Sequence, residues 1–156
     1  MGDATGSPAR PLRVLLIDDN RDMRLAVAGL LKDEGIEVVG EANDGAEGVE
    51  LAERLGPDVV VTDVRMPVLD GISATRRIRE VAPGTQVVVH TLFDAPLMAD
   101  RARAAGAFAL VPKGGKPRRI CDAVLAAAAH GGGEPEVPAG EPDELAGFDP
   151  LPPQVW

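Results

Sequence analysis

The chain has 156 residues, a hydrophobic content of 45% and a formal net charge of −9 at pH 7. That length suffices for one domain with its own core, and the charge excludes the domain-wide basic surface that direct nucleic-acid binding requires. With one cysteine and no apolar run of membrane-spanning length, we expect a cytoplasmic protein that binds neither nucleic acid nor a membrane.

Five apolar runs alternate with five helical patterns, after an N-terminus of residues 1–11 that we expect to be flexible. The predicted strands are residues 12–17, 36–42, 58–62, 86–91 and 107–111. The predicted helices are residues 21–34, 44–55, 70–82, 94–106 and 117–130, three of which have Asp44, Asp70 or Asp94 at their starts. This repeated strand–helix order predicts an α/β domain over residues 12–130.

The strands are apolar without alternation, which is typical of strands buried on both faces of a parallel sheet. Right-handed crossovers leave few topologies open. We predict a doubly wound, flavodoxin-like sheet of five parallel strands in the order 2-1-3-4-5, with helices on both faces. In that order strands 1 and 3 are neighbours at the switch point, where ligands bind.

The segment 131–156 breaks the pattern. Eleven of its 26 residues are Gly or Pro, and it holds six acidic residues and no Lys or Arg. This composition predicts a disordered acidic tail or a linker. As an alternative, the LAGF segment (145–148) and Trp156 form a docking peptide.

Polar residues stand where the apolar runs end: Asp18 and Asp19, Asp63, Thr91 and Lys113. In the predicted sheet these carboxyl ends converge on one crevice. Three carboxylates favour Mg²⁺, with Mn²⁺ as an alternative. We expect Asp19 and Asp63 to bind the ion directly and Asp18 through water, so that Asp63 accepts a phosphoryl group stabilised by Thr91 and Lys113. Individually, these residues also suit helix caps, a loop, a strand and a solvated end.

Four stretches resemble the CheY-like receiver domain of two-component response regulators. They are LLIDDN (15–20), VVVTDVRMPVLDG (59–71), VVVHT (87–91) and GAFALVPK (106–113). The resemblance implies that Asp63 is the phosphoacceptor, that Asp18, Asp19 and the backbone carbonyl of Arg65 complete the metal site, and that Thr91 and Lys113 respond to the phosphoryl group.

The strings GVE and GISATRRIRE resemble the NarL/FixJ-type subgroup, whose receivers usually precede a helix-turn-helix domain. No such pattern follows here, so we expect a stand-alone receiver. The resemblance implies Mg²⁺-dependent phosphorylation of Asp63 by a sensor histidine kinase, which switches a surface of helix 4, strand 5 and helix 5 toward a downstream protein target, with a homodimer possible. Apart from self-catalysed phosphotransfer and autodephosphorylation, no enzymatic activity is expected.

Three residues depart from the family pattern. Leu110 stands where an aromatic residue is usual, and we expect Phe108 to lie on the same side of strand 5 without replacing it. Gly114 stands where many receivers have Pro, and Leu92 is bulkier than the residue common beside Thr91. Leu110 and Gly114 support an alternative function, a docking or dimerisation module that works without phosphorylation.

A metal-dependent phosphohydrolase is a further alternative, but Arg65 stands where such an enzyme has its acid–base partner. We interpret three other reactive residues as structural. His90 belongs to strand 4, His130 complements the dipole at a helix end, and Cys121 packs in helix 5.

Overall fold

The computed structural model describes residues 10–92 and 96–130, which form alternating strands and helices. The strands are β1 (Arg13–Ile17), β2 (Glu37–Ala42), β3 (Val59–Thr62), β4 (Gln86–Thr91) and β5 (Ala109–Pro112). The helices are α1 (Arg21–Asp33), α2 (Gly45–Leu55), α3 (Gly71–Val81), α4 (Pro96–Ala104) and α5 (Arg118–Ala129). None of the helices in these ranges is both long and apolar enough to cross a lipid bilayer.

The five strands form one parallel sheet in the order β2-β1-β3-β4-β5, which confirms the predicted fold. The register aligns the strand ends, because Ile17 pairs with Thr62 and Thr91 pairs with Pro112. The residues that follow β1, β3, β4 and β5 therefore leave the sheet along the same edge.

Both faces of the sheet are covered by helices. On one face, Val27 and Leu31 of α1 and Val124 of α5 pack in a single buried cluster with the strands. On the other face, Ile78 of α3 and Ala102 of α4 belong to two further clusters. Every residue of β3 and β4 is buried, as the absence of alternation predicts.

Phe108 and Leu110 lie on opposite faces of the sheet. Leu110 packs with Val89 and Ala102, whereas Phe108 packs with the cluster that includes α1 and α5, its ring centroid 4.9 Å from that of His130. The expectation that they share a side is wrong, because β5 begins at Ala109 and its alternation does not extend back to Phe108.

The first helix begins after Asn20, whose side chain accepts a hydrogen bond from the Met23 N–H. Asp18 and Asp19 therefore do not cap α1. Their carboxylates lie at the carboxyl edge of the sheet instead. Asp44 and Asp70 cap α2 and α3 as predicted.

Several predicted features lie outside the described residues: Asp94, the tail 131–156 with Trp156, and residues 1–9 of the expected flexible N-terminus. At the described start of the chain, the Arg10 guanidinium makes two hydrogen bonds of 2.9 Å with the Asp58 carboxylate.

Candidate functional site

Three carboxylates meet at the carboxyl edge of the sheet. Asp18 and Asp19 follow β1, and Asp63 follows the neighbouring strand β3. One oxygen from each lies within 4.8 Å of the others. Asp18 is buried and Asp19 is exposed, so the cluster opens to solvent on one side. The structure thus brings together the acids that the sequence singles out.

Lys113 bridges two of these carboxylates. Its Nζ donates to Asp18 Oδ2 at 2.8 Å and to Asp63 Oδ2 at 3.1 Å, and its side chain is 6% exposed. Its backbone N–H donates to the carbonyl of Thr91 at 2.8 Å, and Thr91 is fully buried. The ends of β1, β3, β4 and β5 are therefore joined at one point.

Burial shifts the pKa values of the ionisable side chains at this site. It raises the pKa of Asp63 above its ordinary value, despite the Lys113 ammonium and a 2.7 Å hydrogen bond from the Val64 N–H. Burial alone would lower the pKa of Lys113, but the hydrogen bond to Asp18 and the charge of Asp63 raise it overall. With all groups ionised, three carboxylates and one ammonium leave a charge of −2, which favours a divalent cation with oxygen ligands.

Arg24 holds the backbone of the acid pair. Its Nη1 donates to the carbonyl of Asp18 and its Nε to Glu41 Oε1 at 2.9 Å. The Asn20 N–H donates to Asp18 Oδ1 at 2.9 Å. Sequence reasoning missed Arg24, and its position one turn into α1 carries no signal that distinguishes it from a solvated arginine.

Two glycines fix the loop that follows Asp63. The Gly71 N–H donates to the Val64 carbonyl at 2.8 Å, and a Cβ at Gly71 would lie 1.8 Å from the carbonyl oxygen of Asp63. The Gly45 N–H donates to the Leu69 carbonyl at 3.1 Å, where a Cβ would lie 2.2 Å from that oxygen. The loop is therefore held by backbone approaches too close for any side chain.

Val68 occupies the tip of this loop with φ of +72°, and the Leu69 N–H bonds to the Pro67 carbonyl at 2.7 Å. This i to i+2 bond makes a γ-turn, a strained conformation for a β-branched residue. The side chain is 79% exposed, so packing does not impose the strain.

The remaining predicted residues lie around the site. Arg65 is exposed in the loop after Asp63, and its carbonyl stays a predicted metal ligand. Leu92 is 74% exposed beside Thr91. Gly114 is exposed directly after Lys113. Cys121 is buried, and its burial raises the pKa of the thiol, which suits a packing role.

His90 is buried at 7% exposure behind the acid cluster. Burial, reinforced by the charge of Lys113, lowers the pKa of its imidazole to about 4. A cavity of about 10 Å³, large enough for one water, is lined by His90, Asp18, Asp63 and Arg24 among other residues. His90 is therefore a neutral side chain at physiological pH.

The buried imidazole makes stability depend on pH. The unfolded chain binds a proton near the ordinary pKa of 6.5, whereas folded His90 stays neutral to about 4. The free energy of unfolding should therefore be unaffected by His90 above pH 6.5 and fall by about 3 kcal/mol as the pH drops to about 4. Urea unfolding at a series of pH values measures this. His90→Gln should remove this part of the slope and His130→Gln should retain it; equal slopes in wild type and His90→Gln would refute the assignment.

The topology and the site together define a class of protein. A flavodoxin-like sheet has an acid pair after β1, a third aspartate after β3, a hydroxyl residue ending β4 and a lysine after β5. This is a CheY-like receiver domain.

The family model described as the response regulator receiver domain matches residues 14–125, and the chain belongs to that family. The transcriptional regulatory protein PdtaR of Mycobacterium tuberculosis is 45% identical over 120 residues, covering 76% of this chain and 56% of that protein. LiaR of Bacillus subtilis is 40% identical over 127 residues, covering 81% and 59%. The chain thus spans little more than half the length of these two curated relatives.

Among solved structures, the signal receiver domain of the putative response regulator NarL from Mycobacterium tuberculosis superposes with a TM-score of 0.73 at 33% identity. The match covers 78% of this chain and 98% of that one. The resemblance found in the sequence is thereby confirmed, including its kinship with NarL-like receivers.

Proposed function

We propose that the chain is a phosphoacceptor in a two-component phosphorelay and receives a phosphoryl group on Asp63 from a sensor histidine kinase. The observation that carries this proposal is the contact of Lys113 with both Asp18 and Asp63, inside a cluster of three carboxylates at the edge of the sheet. The cluster combines a carboxylate nucleophile with an ammonium group that already contacts it.

Each residue of the site has a separate role in the phosphoryl transfer. One oxygen of Asp63 forms a bond to phosphorus while the bond from phosphorus to the histidine nitrogen of the kinase breaks, and its electron pair stays on the imidazole. The Val64 N–H, already 2.7 Å from Asp63 Oδ1, orients the carboxylate. Lys113 moves from the carboxylate to a phosphoryl oxygen, and the Thr91 hydroxyl donates to another.

Mg²⁺ fits the oxygen donors of Asp18, Asp19 and Asp63 and the carbonyl of Arg65, and when bound it neutralises charge on the incoming phosphoryl group. The excess negative charge of the cluster supports this assignment. Mn²⁺ shares the preference for oxygen ligands.

Receiver domains act between histidine kinases and downstream effectors. For this chain we infer an output surface on α4, β5 and α5, read by a protein target and open to homodimer formation. The boundaries 12–130 for the receiver unit, with an acidic segment after it, belong to the same proposal. A second function, docking or dimerisation without phosphorylation, is favoured by Leu110, which fills the core beside Val89 and Ala102 without an aromatic ring.

Acetyl phosphate and Mg²⁺, followed by intact-mass measurement, test the proposal. We expect a gain of one phosphoryl group that disappears when a chelator replaces Mg²⁺. If the mass does not increase at any Mg²⁺ concentration, the proposal is wrong and the docking or dimerisation function is favoured. Release of phosphate over many turnovers would indicate a phosphohydrolase.

Asp19→Asn tests the metal site. The exposed carboxylate of Asp19 is available to an ion, whereas Asp18 is buried against Lys113. We expect Mg²⁺ to raise the melting temperature of wild type, because it binds the folded state only, and this rise to be lost in Asp19→Asn. Asp22→Asn, an exposed acid in the first turn of α1, should keep it. A full Mg²⁺ response in Asp19→Asn would contradict the ligand assignment.

A further inference from the structure

Every polar atom of Asp18 is engaged by the protein. Its backbone N–H donates to the Ala42 carbonyl at 3.0 Å, its Oδ1 accepts from the Asn20 N–H at 2.9 Å, and its Oδ2 accepts from Lys113 at 2.8 Å. Its backbone carbonyl accepts from Nη1 of Arg24. Asp18 is buried, and a buried carbonyl needs such a partner, so Arg24 is part of the support of the acid pair.

The carbonyl that Arg24 contacts belongs to the peptide unit between Asp18 and Asp19. Because a peptide unit is planar, the position of that oxygen also fixes the nitrogen and the Cα of Asp19. Asp19 is exposed, so the packing of its side chain does not set its position. The direction in which its carboxylate leaves the chain therefore depends on the orientation of this peptide.

Glu41, at the end of β2, orients the arginine. Its Oε1 accepts from Nε of Arg24 at 2.9 Å, and the arginine side chain is only 11% exposed. The donors of a guanidinium have a fixed relative geometry, so the bond at Nε determines where Nη1 points. The Glu41 carboxylate also offsets the charge of Arg24, so the pair leaves the charge of the acid cluster unchanged.

We propose that Arg24, oriented by Glu41, is a positioning residue for Mg²⁺ binding: it sets the orientation of the Asp18–Asp19 peptide and thereby places the Asp19 carboxylate for the ion. Arg24 acts through the backbone and not on the ion itself. The inference rests on the metal site of the proposed function. Residues that orient metal ligands typically contribute about 10-fold to 100-fold to affinity, and we expect a loss of about tenfold when Arg24 is removed.

Arg24→Met gives a test in which the sign of the effect is decisive. Arg24 lines the same small cavity as Asp18 and Asp63, so removal of its charge alone would strengthen the binding of a cation. Loss of positioning weakens it. We expect NMR titration of the full chain with MgCl₂ to show the weaker binding, with urea unfolding to verify that the variant is folded. Binding as tight as wild type, or tighter, overturns the proposal.

Arg21→Met is the matched control. Arg21 is exposed at the first position of α1, and its replacement removes the same charge two residues from Asp19. This variant should bind Mg²⁺ at least as tightly as wild type. A loss equal to that of Arg24→Met would show that the effect does not come from the contact with the Asp18 carbonyl.

Arg24→Lys separates geometry from charge. Lysine keeps the charge but has one nitrogen, which cannot hold the fixed pair of contacts that the guanidinium makes. We expect an affinity for Mg²⁺ between those of wild type and Arg24→Met. Wild-type affinity in Arg24→Lys would show that a positive charge is sufficient, and the positioning role would be wrong.

The role of Glu41 is tested by a double-mutant cycle. Glu41→Ala removes a negative charge in any background, but it releases the guanidinium only where Arg24 is present. The loss of Mg²⁺ affinity should therefore be larger in wild type than in Arg24→Met. Equal losses in the two backgrounds refute the orientation of Arg24 by Glu41.

The metal-free chain provides a readout that needs no ion. The Asp19 amide belongs to the peptide that Arg24 holds, so its NMR resonance should broaden or split in Arg24→Met, because the peptide then adopts more than one orientation. It should stay a single resonance in Arg21→Met. A single sharp Asp19 resonance at the wild-type position in Arg24→Met contradicts the proposal.

Phosphorylation by acetyl phosphate separates this inference from the proposed function. Arg24→Met should need about tenfold more Mg²⁺ for its half-maximal rate. Its rate at saturating Mg²⁺ should stay close to wild type, because the backbone N–H groups of Asp63 and Lys113 keep their own bonds of 2.9 and 2.8 Å. If Mg²⁺ binding weakens as expected but the chain never gains a phosphoryl group, the phosphoacceptor function fails and the role of Arg24 stands. If wild type binds no Mg²⁺, the metal site and this inference are both wrong.

Discussion

Asp63→Asn should abolish phosphorylation by acetyl phosphate and Mg²⁺ while leaving the fold at least as stable as wild type. The amide keeps the shape of the carboxylate and can still accept the 2.7 Å hydrogen bond from the Val64 N–H. Its NH2 group replaces the oxygen that accepts from Lys113, which keeps Asp18 as its partner, and the amide oxygen is a poor nucleophile toward phosphorus. Burial raises the pKa of Asp63, so at pH 7 its ionised form is less favourable in the folded chain than in the unfolded one. An uncharged amide removes that penalty.

Intact mass and urea unfolding measure the two effects separately. Asp70→Asn is the matched control, because Asp70 lies in the same loop and caps α3 through Ile72 and Ser73, and asparagine caps as well as aspartate does. It should retain phosphoryl acceptance but lose some stability, because the capping hydrogen bonds outweigh burial and lower the pKa of Asp70, so that its charge favours the folded chain. A mass gain in Asp63→Asn equal to that of wild type would place the acceptor elsewhere, and marked destabilisation would contradict the account of its burial.

Gly71→Ala should destabilise the fold by about 3 kcal/mol or more, the upper range for forced overpacking. The added Cβ would lie 1.8 Å from the carbonyl oxygen of Asp63 and 2.9 Å from Cα of Val64. These are backbone atoms, so no side-chain rotation relieves the overlap. The chain after β3 must move, and the Asp63 carboxylate moves with it, which should also reduce the rate of phosphorylation.

Gly29→Ala provides the contrast. Gly29 is exposed within α1, and a Cβ there meets no atom within 4 Å. Alanine should raise the free energy of unfolding by about 0.5–1 kcal/mol through helix propensity. Urea unfolding of both variants gives the comparison. A Gly71→Ala chain within about 1 kcal/mol of wild type would show that the loop yields more easily than its two glycine contacts indicate.

The fold and the position of the acids could be predicted from the sequence because both depend on where apolar runs end. The runs that end at Ile17 and Thr62 pair in register, so their following aspartates had to meet. The prediction that Phe108 lies on the same side of strand 5 as Leu110 failed because an alternating pattern does not show at which residue a strand begins.

Other features depend on contacts between segments that are distant in the sequence, and the pattern of apolar and polar residues does not indicate them. A glycine after Asp70 indicates only a turn, although Gly71 is required by the carbonyl of Asp63. A lysine after a strand is as typical of a solvated strand end as of a side chain that bonds two carboxylates. The position of Lys113 between Asp18 and Asp63 depends on the packing of distant segments.

The bridging ammonium gives the resting molecule a built-in counter-ion. Because Lys113 already offsets part of the repulsion between Asp18 and Asp63, we expect the chain to fold without a bound divalent cation. On the proposed function, magnesium starvation should stop the phosphorylation of Asp63 and yet leave the chain intact, able to accept a phosphoryl group again once the ion returns.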